Sequence, residues 1–342
     1  MRFFLNILFL AVLSTPALGE LITDPANPAR KLESTKTFAS VNGQVLTWGD
    51  YAVAFSSAAR NKFYHGKPPE GEVARLQREV ADKMVNRILL LDEAKRRGIK
   101  PDEAAIAKQI EQYDKQYAGN ERWAQNREKM LPGLKEQLEQ QSVLQQIEAK
   151  VREVKPPDDA TLQAYYKAHP ELFTEPKKVK ASVILLSVDP SAGEAAWKAA
   201  EEEAKKIIKQ VQGGADFAEL ARIRSSDRTA EKGGDMGWLH KGSLPAPVEG
   251  VLEKLKPGQI NPDPVRVLEG VAILRLDGTA PEELKSFGEV KERVRALWLR
   301  EKADDAWNSH LAQLRKKAKV EIDESQFLPL AASGTGEKKQ PR

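Results

Sequence analysis

The stretch from Gly213 to Val248 limits the possible folds most strongly, because glycine turns and short apolar runs alternate along it. Gly213 and Gly214 predict the end of one helix, since glycine adopts positive φ at no steric cost. Asp216 with Glu219 predicts a capping box that opens the next helix. The stretch therefore predicts a complete small unit within the chain.

The second half of this stretch continues the alternation. Gly233 and Gly234 follow a polar loop and precede a short Met-Gly-Trp-Leu strand. A helix is then expected from Pro245, because proline is favoured at a helix start. Its apolar residues recur at helical spacing up to the stop signal Lys256-Pro257-Gly258, and they are Val248, Val251, Leu252 and Leu255. A nucleotide loop is disfavoured, since neither Gly-Lys-Ser/Thr nor GxGxxG is present.

The order of motifs in this region resembles the parvulin type of peptidyl-prolyl isomerase. The motifs are DFAELA, SSD, GGDMGW, KGSLPAPVE and LKPGQI. VKASVILLSV, from Val179, is similar to that family's first strand, and EGVAILRLDG, from Glu269, to its last. The resemblance covers residues 177–278 and implies a small antiparallel sheet surrounded by helices.

The resemblance also implies a site. Prolyl isomerisation needs no nucleophile, since the barrier of about 18–20 kcal/mol comes from amide resonance. An enzyme gains by holding the twisted amide in a dry pocket. By motif, the apolar slot for the proline ring is assigned to Met236, Leu244 and Val248, with Trp238 beside them. Asp227 is the candidate catalytic residue, with Ser225 nearby.

This sequence departs from the family pattern at three positions. Val183 and Ala272 stand where the family's first and last strands usually carry histidines, and Val248 stands where an aromatic is usual. Alternatives therefore stay open. Asp227 also fits a loop-capping aspartate, while Met236, Leu244 and Trp238 also fit ordinary core packing.

The chain begins with features typical of a secretory signal, residues 1–19. Arg2 precedes an apolar run, and Ala17-Leu18-Gly19 predicts cleavage before Glu20. A retained anchor is the alternative, although the run is shorter than the roughly 20 apolar residues that a membrane span needs. Residues 20–38 are polar, contain two prolines, and are expected to be flexible.

Residues 39–176 predict a hairpin followed by amphipathic helices. Asn42-Gly43 supplies the positive φ of a type I′ turn, and Thr47 with Asp50 predicts a helix cap. Later helices are expected through Arg97, from Pro101, from Pro132, and as a connector from Thr161 to Phe173, and the first of them carries a stripe of Val73, Leu76, Val80, Met84, Ile88 and Leu91. This half resembles the N-terminal module of SurA- and PrsA-type foldases.

Beyond the isomerase-like region, Ser286 with Glu289 predicts the start of a long helix, and residues 319–323 predict a strand. In the resembling foldases this helix packs back on the N-terminal module. The expected fold is therefore α+β: a mostly helical N-terminal chaperone module, completed by residues 279–327, with one inserted parvulin domain. The tail, residues 328–342, is expected to be disordered.

Composition removes several classes of function. The chain has no cysteine, which excludes disulfides, thiol catalysis and a lipobox anchor. Its four histidines, His65, His169, His240 and His310, are scattered, so no metal or cofactor is predicted. The net charge is only +4, and both signs alternate along the helices, so no nucleic-acid partner is predicted. No membrane span is expected in the mature chain.

Two hypotheses follow. The first is a periplasmic foldase of the parvulin isomerase family, of weak activity because the histidine pair is missing, acting on unfolded or nascent exported proteins with proline-containing segments. The second is a non-catalytic periplasmic holdase that keeps the parvulin fold as a peptide-binding domain. The motif order supports the isomerase class, whereas Val183 and Ala272 favour the holdase at the molecular level.

Overall fold

A computed structural model of the chain describes residues 21–63 and 68–330. The predicted signal at residues 1–19, His65 and the tail from residue 331 onward lie outside the described residues. The chain divides into two compact units: the first ends at Pro156 and resumes at Leu297, and the second runs from Pro157 to Ala296.

The described residues contain helices and short antiparallel strands, numbered in chain order. The helices are α1 (Trp48–Lys62), α2 (Glu70–Arg96), α3 (Glu103–Gln116), α4 (Glu121–Val151), α5 (Asp159–Ala168), α6 (Glu194–Gln212), α7 (Phe217–Arg224), α8 (Ala246–Leu252) and α9 (Phe287–Lys317). The strands are β1 (Leu21–Asp24), β2 (Asn27–Glu33), β3 (Thr37–Val41), β4 (Gln44–Thr47), β5 (Thr174–Glu175), β6 (Lys178–Ser187), β7 (Asp235–His240), β8 (Val265–Val267), β9 (Gly270–Ala280), β10 (Glu283–Leu284) and β11 (Val320–Ile322).

The predicted turn and cap in the first unit are confirmed. Asn42 and Gly43 connect β3 to β4 with φ of 51° and 87°, the left-handed conformations that a type I′ turn requires. At the start of α1, the Thr47 side chain accepts from the Asp50 N–H and the Asp50 carboxylate accepts from the Thr47 N–H at 2.9 Å. Local chemistry thus fixes how the chain enters its first helix.

The structure corrects the expectation that residues 20–38 are flexible. From Leu21 to Glu33 the chain forms an antiparallel hairpin of β1 and β2. Leu32 is buried against the aromatic core of this unit, and the buried Asp24 carboxylate accepts from Arg30 Nε at 2.7 Å. One apolar anchor and one ion pair therefore order a segment whose composition is polar.

Two apolar clusters form the core of the first unit. One is aromatic and includes Phe38, Trp48, Tyr51 and Phe55. The other joins α2 and α4 to the C-terminal part of α9, and includes Val85, Ile88, Ile147 and Leu314. β11 also pairs with β3. The α+β prediction, with a helical module completed by the C-terminal helix, is confirmed.

The helix predicted from Pro132 begins earlier, at Glu121. Asn120 caps it by accepting from the Trp123 N–H at 3.1 Å. Asp114 of α3 then holds the first turns, since its carboxylate accepts from the Trp123 indole at 3.2 Å and from Arg127 Nε at 2.6 Å. Pro132, which lacks an N–H, lies inside α4 and removes one backbone hydrogen bond from it.

Leu328, which was predicted to begin a disordered tail over residues 328–342, is instead attached to α2. The Leu328 N–H donates to Gln77 Oε1 at 2.7 Å, and the Leu328 carbonyl accepts from Arg78 at 3.0 Å.

Within the described ranges, no helix has an apolar stretch long enough to cross a membrane.

The second unit is built on one antiparallel sheet in the order β7-β6-β9-β8. Because side chains alternate along a strand, the sheet has two apolar faces. Ile184, Val271 and Ile273 lie under α6 and α7 on one face. The opposite face is covered by α8, and its buried residues are Ala181, Val183, Val248, Leu252, Val265, Ala272, Leu274 and Leu276.

This unit extends beyond the predicted residues 177–278 at both ends, because α5 packs against the start of α9. Leu162 and Val294 are buried, and Lys291 forms an ion pair with Asp159 at 2.6 Å. The predicted connector helix from Thr161 to Phe173 is also shorter. It ends at Ala168, and a single 3-10 turn follows.

Candidate functional site

Five of the residues singled out from the sequence meet on the sheet face under α8. Val183, Val248 and Ala272 are buried there, with exposures of 7%, 5% and 1%. Met236 and Leu244 are half-buried at the edge of the same cluster. We call these five aliphatic residues the slot, and the whole apolar cluster on this face of the sheet the slot cluster.

The strand register explains how the slot is assembled. Val183 on β6 stands opposite Leu274 on β9, and Ala272 on β9 stands opposite Leu185 on β6. The paired positions share one face of the sheet, so Val183 and Ala272 lie diagonally across it. α8 then brings Val248 over them.

The glycine pair before β7 brings Met236 to the slot. The Val183 N–H donates to the Gly234 carbonyl at 2.9 Å, which joins the GGDMGW motif to the middle of β6. Gly234 has φ of 81°, and a Cβ at this position would collide with the Val183 carbonyl. Glycine is therefore required here by both conformation and space.

Trp238 does not belong to the slot, which corrects the assignment from sequence. Trp238 pairs with Lys180 and Asp235 pairs with Ser182, so β7 carries one residue more than β6 between these pairs. The bulge lies at Met236-Gly237, where Gly237 has φ of 74°. Met236 consequently faces the slot, whereas Trp238 lies on the opposite face.

Trp238 also does not fill the core. It is 54% exposed, and its ring lies over the position where Gly278 has no side chain. Nearby, Lys180 pairs with Asp235 at 3.3 Å. The pKa of Asp235 is lowered, first by the hydrogen bond from the Gly237 N–H and then by Lys180, against the opposing effect of burial. These contacts fix the bulge.

Ser225 fastens the polar loop to β6. Its Oγ accepts from the Leu185 N–H at 3.0 Å and from the Asp227 N–H at 3.1 Å. Ser226 adds a backbone bond to the Leu185 carbonyl at 2.8 Å. The hydroxyl of Ser225 therefore holds the loop in place.

Asp227 caps its own loop. Its Oδ1 accepts from the Thr229 N–H at 2.8 Å and from Thr229 Oγ1 at 2.5 Å. Among the described residues, these are the side-chain hydrogen bonds found for this carboxylate, and neither partner belongs to the slot. The geometry matches the loop-capping alternative.

Glu249 is a residue of the site that the sequence motifs did not single out. It lies in the first turn of α8, next to Val248. Its Oε1 accepts from the Gly242 N–H at 2.6 Å and from the Leu244 N–H at 3.4 Å. The available signal was the acidic residue that ends the KGSLPAPVE motif, in the first turn of the Pro-started helix, where acids are common on electrostatic grounds alone.

The side chains that meet at the slot are apolar. The slot offers aliphatic surface, and the nearest polar groups singled out, Ser225 and Asp227, are engaged in their own loop. Within residues 21–63 and 68–330, no three His, Asp or Glu side chains come close enough together to hold a metal ion. The slot is thus an apolar face whose neighbouring polar groups serve their own loop.

An antiparallel sheet with helices on both faces, an apolar slot under α8 and the GGDMGW and LKPGQI motifs define the parvulin class of domain. Residues 184–278 match the family model of the PPIC-type PPIase domain. Residues 7–131 match the model of the SurA-like N-terminal domain. The chain therefore carries a parvulin-type domain behind a SurA-like N-terminal domain, and the predicted relationship to SurA- and PrsA-type foldases is confirmed.

Named relatives match parts of the chain. Foldase protein PrsA 2 of Bacillus anthracis is 40% identical over 130 residues, which are 37% of this chain and 45% of that protein. Chaperone SurA of Albidiferax ferrireducens is 38% identical over 145 residues, 42% of this chain and 31% of that protein. The chain thus spans less than half the length of either relative. A solved SurA-like chaperone from Campylobacter jejuni is 20% identical, with a TM-score of 0.38 over 84% of this chain and all of that one.

Proposed function

We propose that this protein is a foldase of the parvulin peptidyl-prolyl isomerase family, acting on unfolded or nascent exported proteins that contain proline, with weak catalytic activity. The observation that carries the proposal is the slot itself. Met236, Leu244 and Val248 were assigned to it from motif alone, and they meet on one sheet face within the residues that match the PPIC-type domain.

The slot supports isomerisation through its apolarity. Twisting a prolyl amide removes its resonance, and with it part of the charge separation of the planar form. An apolar, water-poor surrounding therefore disfavours the planar amide relative to the twisted one. Met236 and Leu244, which are half-buried, offer the accessible part of that surrounding, above the buried Val183, Val248 and Ala272.

Weak activity follows from what the slot lacks. Valine and alanine side chains neither donate nor accept hydrogen bonds, so Val183 and Ala272 cannot orient a polar group toward the twisted amide. The Asp227 carboxylate is occupied by Thr229. Val248 also offers a proline ring less contact area than an aromatic side chain would. Each loss of about 1.4 kcal/mol in transition-state binding lowers the rate tenfold.

The cellular setting is proposed on two grounds. Residues 1–19 have the charge, apolar run and small-residue site of an export signal. The relatives that match are named a foldase and a chaperone. A periplasmic foldase whose partners are unfolded exported proteins is consistent with both.

The decisive experiment is exchange spectroscopy on a proline-containing peptide with the full chain. We expect slow but measurable acceleration of cis–trans exchange by the wild type, reduced about tenfold in Leu244→Ala. Asp227→Ala should change it less than twofold, because the carboxylate serves the loop. Trp238→Ala, on the opposite face of the same sheet, is the matched control and should have no effect.

Three other outcomes discriminate among the hypotheses. Strong wild-type exchange that Asp227→Ala abolishes would show that this acid is catalytic and that our account of the weak activity is wrong. Peptide binding at the slot without exchange would support the holdase alternative. Equal effects of Leu244→Ala and Trp238→Ala would remove the slot from the function.

A further inference from the structure

The edge of the slot is formed by a loop with few attachments. β7 ends at His240 and α8 starts at Ala246, and residues 241–245 between them are the rim loop. Leu244 is the residue of this loop that packs against the slot cluster. Gly242 has φ of 88°, and the Ser243 N–H donates to the His240 carbonyl at 3.1 Å, so the loop turns sharply before Leu244.

Side chains also hold the loop. At its start, Ser243 Oγ and His240 Nδ1 are 2.7 Å apart. At its end, the Glu249 carboxylate oxygen Oε1 accepts from both the Gly242 N–H, at 2.6 Å, and the Leu244 N–H, at 3.4 Å. Only the second attachment reaches the backbone of Leu244. Because the acceptor is charged, it is stronger than a neutral one.

Glu249 also links the rim to the wall of the slot. It follows Val248 directly in α8, and Val248 is 5% exposed in the slot cluster. One short helix therefore supplies the buried wall and the carboxylate that holds the rim. Residues held in the binding conformation before binding lose less entropy when a ligand arrives.

Removing this carboxylate should cost little global stability. The Gly242 N–H lies in an exposed part of the loop, so water can replace its partner. The consequence is instead greater freedom of Leu244, which is half-buried and tied to the slot by its side chain. The affinity for a ligand then falls, because the rim loop must lose its conformational freedom when the ligand binds.

We propose that Glu249 is a positioning residue, which fixes Leu244 at the rim and so raises the affinity of the slot for a proline-containing segment. The effect on affinity rests on the proposed function, whereas the effect on Leu244 does not. Glu249 touches no part of the substrate in this scheme; it acts through the backbone of the rim loop.

The test compares Glu249→Ala and Glu249→Gln in the full chain. We expect Glu249→Ala to lower the methyl order parameter of Leu244 and to raise the dissociation constant of a proline peptide about fivefold to tenfold. Glu249→Gln should restore both in part, because its amide oxygen can accept from the same two N–H groups but less strongly than the carboxylate. Glu253→Ala, which removes an exposed acid at the C-terminal end of α8, is the control and should change neither.

Each outcome decides one point. Unchanged Leu244 order in Glu249→Ala overturns the inference whatever the peptide does. Disordered Leu244 with unchanged affinity also overturns it, since the rim would then not matter to binding. A large fall in melting temperature in both Glu249 variants would assign this residue to folding instead. If the wild type binds no proline peptide, the proposed function fails, and Leu244 order still decides whether Glu249 positions the rim.

Discussion

Val183 on β6 and Ala272 on β9 are diagonal neighbours on the same buried face of the central sheet. Their direct cross-strand partners, Leu274 and Leu185, also belong to the slot cluster. Any polar group introduced at either position would consequently be surrounded by aliphatic side chains. The two positions thus form an apolar floor, and the loss of hydrogen-bonding capacity there is a property of the whole face.

Replacing this floor by histidines should destabilise the domain. In Val183→His with Ala272→His, two larger polar rings enter positions that are 7% and 1% exposed. Overpacking and unsatisfied ring nitrogens should together cost about 3 kcal/mol or more. Burial favours neutral imidazole, so the loss should be greater at pH 6 than at pH 8.

The measurement is hydrogen exchange of the β6 amides at the two pH values. Leu268→His is the matched control, since Leu268 is 73% exposed in the same sheet's β8–β9 turn and should tolerate the change. A stable double variant with raised isomerase activity would show instead that the slot retains partners for a histidine pair.

Gly234 and Gly237 should respond differently to a methyl group. Both have positive φ, which costs an L-residue about 1–2 kcal/mol. For Gly234→Ala the added Cβ also meets the Val183 carbonyl, so we expect a loss of about 3 kcal/mol or more. For Gly237→Ala the space is open, and only the conformational cost should appear.

Thermal unfolding of the two glycine variants, together with amide exchange along β6, measures the difference. We expect Gly234→Ala to lower the stability more than Gly237→Ala does. If Gly237→Ala were the more destabilising change, the close approach of the GGDMGW segment to β6 would be wrong.

The sequence predicted those parts of the fold that depend on neighbouring residues. Turns and caps depend on a few adjacent residues, so Asn42-Gly43 and the Thr47–Asp50 cap were accessible from sequence. The motifs also grouped Met236, Leu244 and Val248, which lie in one apolar cluster. The sequence could not predict on which face of the sheet Trp238 lies. The bulge at Gly237 shifts the alternation of side chains that a regular strand would have.

Two predictions from sequence, a flexible segment at residues 20–38 and a helix start at Pro132, were wrong for the same physical reason. The hairpin of β1 and β2 involves the burial of Leu32 and an ion pair with Asp24, and the first turns of α4, before Pro132, contact Asp114 of α3. Each is a contact between residues from different elements. Local propensity predicts neither contact, since both form only when the elements are packed.

The stability of the first unit should fall below neutral pH through His310. Burial lowers its pKa below the ordinary value of 6.5, Arg97 and Lys317 lower it further, and Glu93 opposes them. Its buried Nε2 has no hydrogen-bond partner among the described residues. As pH falls through 6.5, the unfolded chain therefore binds a proton before the folded one does, and stability is lost.

Urea denaturation between pH 7.5 and pH 5.5, followed by amide exchange in α2 and α9, tests this. The wild type should lose stability over this range, and His310→Gln should lose less. His240→Gln, in the other unit, is the control. Parallel pH profiles for wild type and His310→Gln would contradict the role of this imidazole.

Phe327 should close the aromatic core of the first unit. Its ring centroid lies 5.6 Å from that of Tyr51 and 6.1 Å from that of Phe38, and the Arg78 guanidinium lies 5.4 Å from it on the ring's face. The ring is partly buried, so Phe327→Ala should cost about 2 kcal/mol, less than the roughly 3–5 kcal/mol of a fully buried phenylalanine.

Leu330→Ala is the matched control for Phe327→Ala, because Leu330 is 52% exposed in the same segment and should change stability by less than about 0.5 kcal/mol. Amide exchange in β3 and α1 reports on the first unit alone, which matters because a chain of two units need not unfold in one step. Loss of protection confined to these elements in Phe327→Ala is the expected result. Equal protection in the two variants would mean that the segment after β11 rests on the aromatic cluster without stabilising it.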